Sequence, residues 1–304
     1  MNLRPVTIIE PARLTKLVDR LGVRLLLASE TDQVTGSFKI RAAYNVASKV
    51  PHRHIIAASS GNYGQALAAG CNTLGKTCTI VMPKNSAKIK VEAVQQHGGV
   101  IEFVDTQVKT RHARVLELAS ENAAAYVSSA YDDPLVIEGN ASLGHELAEL
   151  AGEFDCVLAP IGGGGLTAGI ITGLRQLGCA KPVWAAEPVI ANDAARSLRE
   201  GRIVANETEP QTVADGVRTL SVGKHNWPIL REGLAGIVEI SEAKIIEAVR
   251  ILFRGAGVKA EPTGALPIAA LLEAPEQFRG QRVCCVISGG NIDPQRFQSI
   301  VEAP

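Results

Sequence analysis

HIIAASSGNYGQALAAGCNTLGKTCTIVMP, residues 54–83, holds two short apolar runs separated by one longer stretch, with SSGNYG at the first junction. HIIAA is too short for a stable helix and is closed by serines and glycine, the signature of a buried strand. QALAAGCNTLG spaces its apolar residues as a helix does and stops at Gly75, after which CTIVMP resumes the strand pattern. Outward from this unit the rhythm repeats. AKIKVEAVQQHG, GVIEFV and TRHARVLELASEN read as helix, strand and helix; DCVLAPI precedes a helical LTAGIITGLRQLG, PVWAAEP follows, IVEIS precedes a helical EAKIIEAVRILFRG, and RVCCVIS is the last strand. Strands that alternate with helices in this way imply parallel sheets covered by helices on both faces. A chain of 304 residues is about two domains' worth on the usual length prior. The pattern therefore predicts two α/β lobes with room for a cleft between them.

Composition narrows the partners. Hydrophobic residues make up 46% and charged residues 20%, and 31 basic residues balance 31 acidic ones to a formal charge of zero. That balance removes the electrostatic case for nucleic acid or an anionic membrane, and 4% aromatics supply few stacking platforms for single strands. MNLRPVTIIEPARLTK alternates apolar and charged residues too quickly for the core of a signal peptide, and no apolar run approaches membrane-spanning length, so the expected location is the cytosol. Cys71, Cys78, Cys156, Cys179, Cys284 and Cys285 form no C-x-x-C pair and have no histidine at zinc-like spacing. They are expected to be reduced and mostly buried. The stretch 201–224, GRIVANETEPQTVADGVRTLSVGK, has the weakest periodicity and reads as a long connection, of the kind often kept for function.

Three motifs follow strand-like runs directly: SSGNYG at 59–64, GGGG at 162–165 and SGGN at 288–291. Ligands of open parallel sheets bind beyond the carboxyl ends of the strands, which is where all three stand. Gly162, Gly163, Gly164 and Gly165 precede a helix beginning near Leu166. Their amides can approach an anion that also feels the helix amino terminus; the alternative is a flexible turn. The run is no Walker A loop, because Ile170 and Ile171 stand where Lys and Ser or Thr are needed, and no dinucleotide fingerprint, because Thr167 replaces its last glycine. A phosphate of another cofactor is the better expectation. Lys39, in TGSFKIRAAYN at 35–45, lies between turn-forming residues and a helical run.

GSFK, SSGN, the tetraglycine and SGGN occur here in the order found in one family. With EPARLTKL, ADGV (214–217), NWPI (226–229) and EPTGA (261–265), the chain resembles, over nearly its whole length, the pyridoxal-phosphate enzymes of the tryptophan-synthase β-subunit fold, fold type II, in the serine racemase and serine/threonine dehydratase branch. The resemblance implies a cofactor in the cleft between the lobes, with residues 1–53 and 132–304 forming a large cofactor-binding domain and 54–131 a small domain closing on substrate. By matching position it implies that Lys39 bears the cofactor aldehyde, Phe38 flanks the ring, Asn62 bonds the phenolic oxygen, Gly162 to Gly165 hold the phosphate, and Ser288 faces the pyridine nitrogen. A neutral hydroxyl at Ser288 would stabilise a carbanion less than a carboxylate and favour loss of a β-substituent; the alternative is a serine serving its local backbone.

The substrate carboxylate is expected at the SSGNY loop, residues Ser59, Ser60, Gly61, Asn62 and Tyr63. Tyr63 departs from the histidine common in relatives, and either packs or contacts substrate. GNAS at 139–142 departs from the G-Q-G-T-like run that relatives carry before a helix. AAEPVIAND matches the branch's divalent-cation site, implying Glu187 and Asp193 as ligands of Mg²⁺ (or Ca²⁺ or Mn²⁺) with the Ala191 carbonyl between them. Spacing alone reads the two acids as exposed helix caps.

The implied activity is dehydration of a β-hydroxy amino acid such as L-serine or L-threonine to a 2-oxo acid and ammonia, with Lys39 taking the Cα proton and Ser60 placed on the opposite face. Alternatives on the same site are a racemase or epimerase and a dehydratase of phenylserine or 3-hydroxyaspartate. A cysteine-synthase-like replacement enzyme would carry G-T-G-G-T at the phosphate loop. A non-catalytic binder of the same fold is disfavoured by intact Lys39, Asn62 and Ser288. A homodimer and the absence of a carboxyl-terminal regulatory domain are further expectations.

Overall fold

The computed structural model describes residues 3–302, so the outer ends of the expected large domain, residues 1, 2, 303 and 304, lie outside the described residues. Strand β1 (Thr7–Ile9), helix α1 (Thr15–Leu21), β2 (Arg24–Ser29) and α2 (Lys39–Lys49) come first. Residues 54–83 then fold as β3 (His54–Ala58), α3 (Asn62–Thr73) and β4 (Thr77–Pro83), followed by α4 (Lys88–Gln96), β5 (Val100–Val104), α5 (Arg111–Glu121) and β6 (Ala125–Ser128). Next are α6 (Pro134–Glu149), β7 (Cys156–Pro160), α7 (Gly165–Gln176), β8 (Val183–Pro188), α8 (Asp193–Glu200), α9 (Asn226–Gly233) and β9 (Leu234–Ile240). The chain closes with α10 (Glu242–Ala256), α11 (Pro262–Glu273), β10 (Arg282–Ile287) and α12 (Pro294–Glu302).

These strands make two sheets. Four, in the order β5-β4-β3-β6, are parallel throughout. Six form the order β1-β2-β10-β7-β8-β9, parallel except that β1 runs antiparallel to β2 along the edge. Three residues are too few to show a period of two, which is why β1 escaped the sequence pattern, and an antiparallel edge on a parallel sheet is a common arrangement. In the smaller sheet Ile55 and Ile80 face one core, with Val46 of α2 and Leu67 of α3, whereas their neighbours Ile56 and Val81 face Val115 of α5 on the other side. This alternation is what helices on both faces require. The larger sheet packs Leu266 and Ile268 of α11 with α10 against one face and Ile170 and Leu174 of α7 with α6 against the other.

Two elements were hidden by their own burial. In α11 every residue from Pro262 to Leu272 is buried, so no polar face marks it as a helix. In β2 only Arg24 is exposed, and a short continuous apolar run cannot be told from helix by periodicity. GNAS at 139–142, expected ahead of a helix, lies inside α6. There Asn140, buried, donates from Nδ2 to the Gly165 carbonyl at 3.0 Å and ties α6 to the start of α7. The six cysteines are free thiols, five of them buried. No helix among the described residues is long and apolar enough to cross a membrane.

Candidate active site

Three strand ends converge on Lys39. It opens α2, and the loop before it is laced to the segment after β10: Phe38 N–H donates to the Ser288 carbonyl at 3.0 Å, Gly290 N–H to the Gly36 carbonyl at 3.0 Å, and Glu261 N–H to the Gly289 carbonyl at 3.1 Å. Lys39 Nζ donates to the Ala130 carbonyl at 2.9 Å. It lies 5.0 Å from the centre of the Phe38 ring and 5.9 Å from that of Tyr63. Burial lowers its pKa to about 8, against the pull of the Glu261 carboxylate toward the charged form. An amine so placed has a neutral, nucleophilic fraction near neutrality that an exposed lysine lacks.

Asn62, the first residue of α3, donates from Nδ2 to Glu261 Oε1 at 2.7 Å and accepts at Oδ1 from Asn291 Nδ2 at 2.8 Å. Glu261 precedes α11 and is buried, which pushes its carboxyl up to about 8; the Asp215 carboxylate acts in the same direction, whereas Asn62, Lys90 and Lys39 oppose it. Lys90, on α4, reaches across to Asp215 Oδ2 at 2.6 Å. Nothing in the local sequence around Glu261, within EPTGA, or around Lys90 marks either residue for the site. Their partners stand far away in the chain, Asn62 being 199 positions from Glu261 and Lys90 being 125 from Asp215.

The glycine run leaves β7 and enters α7. Gly164 adopts φ 90°, in the left-handed region that favours glycine. A Cβ on Gly163 would lie 2.1 Å from the Tyr131 ring, so no larger residue fits beneath that ring. Asn226 Nδ2 and Gly223 N–H hold the Gly163 carbonyl at 2.6 and 2.9 Å. The N–H groups of Gly162, Gly163 and Gly164 have no acceptor among the described residues. Unpaired amides at a helix amino terminus fit a phosphate group, and a half-buried lysine of lowered pKa fits an aldehyde. Together they suit pyridoxal 5'-phosphate, with Ser288 buried beside Phe38.

The SSGNY loop separates its members. Ser59 Oγ accepts from the N–H groups of Gly61 and Gly64 at 3.3 and 3.0 Å, so it caps α3. The Tyr63 hydroxyl pairs with Ser128 Oγ at 2.5 Å and is buried, leaving its ring toward Lys39. Ser60 Oγ instead receives Arg111 Nη1 at 3.3 Å. Arg111 begins α5, and its other terminal nitrogen lies 3.4 Å from Glu209 Oε2 in the 201–224 connection. In the sequence Arg111 reads as one more cation on a solvated helix.

Glu187 is the penultimate residue of β8 and Asp193 begins α8, with buried Ala191 in the turn between them. Both acids are buried, which overturns the exposed-cap reading. Glu187 Oε1 accepts from Ala195 N–H at 2.7 Å and Asp193 Oδ1 from Asn206 Nδ2 at 2.9 Å, whereas Glu187 Oε2 and Asp193 Oδ2 have no partner. Burial raises both carboxyls, Glu187 well above its ordinary value and Asp193 to about 6. No group of three His, Cys, Asp or Glu side chains suited to a metal occurs among the described residues. A cation here would draw on two carboxylates and backbone or water oxygens, a donor set that suits a hard divalent ion.

The model of the family described as "Pyridoxal-phosphate dependent enzyme" matches residues 6–289. An L-threo-3-hydroxyaspartate ammonia-lyase from Pseudomonas sp is 35% identical over 285 residues, covering 92% of this chain and 89% of its own. A serine racemase from Homo sapiens is 32% identical, covering 96% and 89%. Among solved structures, a threonine deaminase from T.th. superposes with a TM-score of 0.86 at 40% identity, covering 95% of this chain and 92% of its own. The lysine, the glycine cradle and these likenesses agree: the chain belongs to the pyridoxal-phosphate dependent enzymes, in the branch of the serine racemases and serine/threonine dehydratases.

Proposed function

We propose that this protein is an ammonia-lyase converting a β-hydroxy amino acid to a 2-oxo acid and ammonia, and that its preferred substrate is dicarboxylic, of the 3-hydroxyaspartate type. The observation that carries the finer reading is Arg111, whose guanidinium stands 3.3 Å from Ser60 Oγ. A second carboxylate on Cβ can pair with that planar fork, whereas the methyl of threonine or the hydrogen of serine cannot. The Pseudomonas relative acts, by its name, on L-threo-3-hydroxyaspartate.

Bound pyridoxal phosphate supplies the electron sink that makes the Cα proton acidic. In this reading the amides of Gly162 to Gly164 hold its phosphate, and Phe38 and Tyr63 wall off water beside Lys39. Lys39 Nζ takes the Cα proton, a task suited to an amine whose pKa burial brings to about 8. Gly61 and Ser60 bind the α-carboxylate, Asn62 faces the cofactor ring from the start of α3, and neutral Ser288 leaves the pyridine nitrogen uncharged. The part carrying the smaller sheet, residues 54–131, closes on substrate, and two chains pair as a dimer. Glu187, Asp193 and the Ala191 carbonyl bind Mg²⁺ or a like cation, which would engage the two unpartnered buried oxygens. Ser60 supports a second, minor activity, inversion at Cα, since the Arg111 contact stabilises a deprotonated hydroxyl.

The test is a panel of L-serine, L-threonine, their D forms, phenylserine and the 3-hydroxyaspartate isomers, assayed for ammonia and 2-oxo acid. The expected result is fastest release from a 3-hydroxyaspartate. Faster turnover of serine or threonine would overturn the dicarboxylic preference, and silence with every hydroxy amino acid would overturn the lyase.

A further inference from the structure

The connection over 201–224 contributes an acid to the mouth of the site. It is fastened on both sides of its tip: Asn206 N–H donates to the Leu220 carbonyl at 2.7 Å and Asn206 Nδ2 to Asp193 Oδ1 at 2.9 Å, and further on Thr212 Oγ1 and Val213 N–H meet the Glu242 carboxylate at 2.7 and 2.6 Å. Between these anchors stands Glu209, half exposed, with its carboxylate 3.4 Å from Arg111 Nη2. The two terminal nitrogens of Arg111 are therefore divided, Nη1 on Ser60 and Nη2 on Glu209.

We propose that Glu209 is a specificity-determining residue, an internal carboxylate that occupies Arg111 until the second carboxylate of a dicarboxylic substrate displaces it. This rests on the dicarboxylic reading above. A carboxylate held by an arginine in the usual two-pronged way draws on both terminal nitrogens; Nη1 is shared with the neutral Ser60 hydroxyl, whereas Nη2 is held by the competing charge of Glu209. A dicarboxylic substrate exchanges one carboxylate for another at the same cation. A substrate with a neutral side chain has nothing to exchange, and the pair stays closed over it. Glu209 thus sets how tightly the second carboxylate is held.

The experiment compares kcat/KM for 3-hydroxyaspartate and for L-serine in the wild-type holoenzyme, Glu209→Gln, Glu207→Gln and Arg111→Gln. Glu207 lies exposed on the same tip and is not among the hydrogen-bond or ion-pair partners of Arg111, so it reports the general effect of removing a negative charge. An exposed ion pair at this distance predicts that Glu209→Gln raises the preference for 3-hydroxyaspartate roughly 2- to 5-fold. The gain should fall in KM, exceed that of Glu207→Gln, and shrink at high ionic strength. Arg111→Gln should lower the same preference at least about 10-fold. If Arg111→Gln lowers it while Glu209→Gln matches the wild type or Glu207→Gln, the displacement proposal is overturned and the dicarboxylic reading stands. If Arg111→Gln leaves the preference intact, the dicarboxylic reading fails and the role of Glu209 fails with it.

Discussion

Asn62 donates to Glu261 Oε1 at 2.7 Å, and by that one bond the first turn of α3, on the smaller sheet, is joined to the start of α11, on the larger. When ionised, the carboxyl it reaches also pulls the Lys39 amine toward its charged form, against the effect of burial. Bridging the two sheets and tuning the lysine are consequently two effects of one side chain. A buried carboxylate near an amine favours the ammonium, so its removal must lower the lysine pKa further.

Glu261→Gln is therefore expected to move the pH inflection for covalent attachment of pyridoxal phosphate to the apoprotein from about 8 to a lower value, read from absorbance against pH. An inflection that stays put or rises would remove Glu261 from the control of Lys39. Stability gives an independent reading. The Glu261 carboxyl is raised from its ordinary 4.5 to about 8, so between those values the folded state keeps a proton that the unfolded state releases. Apoprotein stability should fall as pH rises through that window, and Glu261→Gln should flatten the fall.

Lys39→Ala is expected to lower turnover by about 10²- to 10⁴-fold or more, the usual contribution of a positioned general base, and to abolish covalent attachment. Borohydride treatment of the wild type should fix the cofactor on the peptide containing Lys39. Recovery of the label at a different lysine would refute the assignment.

What the sequence makes legible is local. β3, β7 and β10 each end in a glycine-bearing motif, and at β3 and β7 the strand, turn and helix can be read together, so those motifs point to a candidate site at the carboxyl ends of the strands. The burial of Glu187 and Asp193 was illegible, because nothing in a spacing of six tells a buried acid from an exposed one. Arg111, Lys90 and Glu261 were illegible in their roles because each is defined by a partner on another element. Tyr63 was legible as a departure, but the direction of its hydroxyl depends on Ser128, 65 positions away.

Chelation is expected to lower the melting temperature, and added Mg²⁺ to restore it. An ion bound only by the folded state stabilises that state by about 2.7 kcal/mol at one hundred times its Kd. The effect should vanish in Glu187→Ala combined with Asp193→Ala, since those residues carry the two unpartnered buried oxygens, Glu187 Oε2 and Asp193 Oδ2. A wild-type protein whose melting is indifferent to chelator and free of divalent metal on elemental analysis would leave the two acids without a cation.

Ser60→Ala tests whether the hydroxyl moves a proton. Its competing role as a cap of α3 is already filled, since Ser59 Oγ accepts from both Gly61 and Gly64. Ser60 Oγ receives a charged donor from Arg111 instead, and a guanidinium beside a hydroxyl favours its deprotonated form. Inversion at Cα needs a group on the face opposite Lys39, and dehydration of the L substrate needs Lys39 alone. In Ser60→Ala, inversion of L-serine should therefore disappear and turnover of D substrates should drop by about 10²-fold or more. Exchange of the Cα proton of L-serine with solvent deuterium, catalysed by Lys39, should persist with the cofactor absorbance unchanged. If the variant still inverts L-serine at the wild-type rate, Ser60 is no acid or base, and its bond to Arg111 only orients the guanidinium.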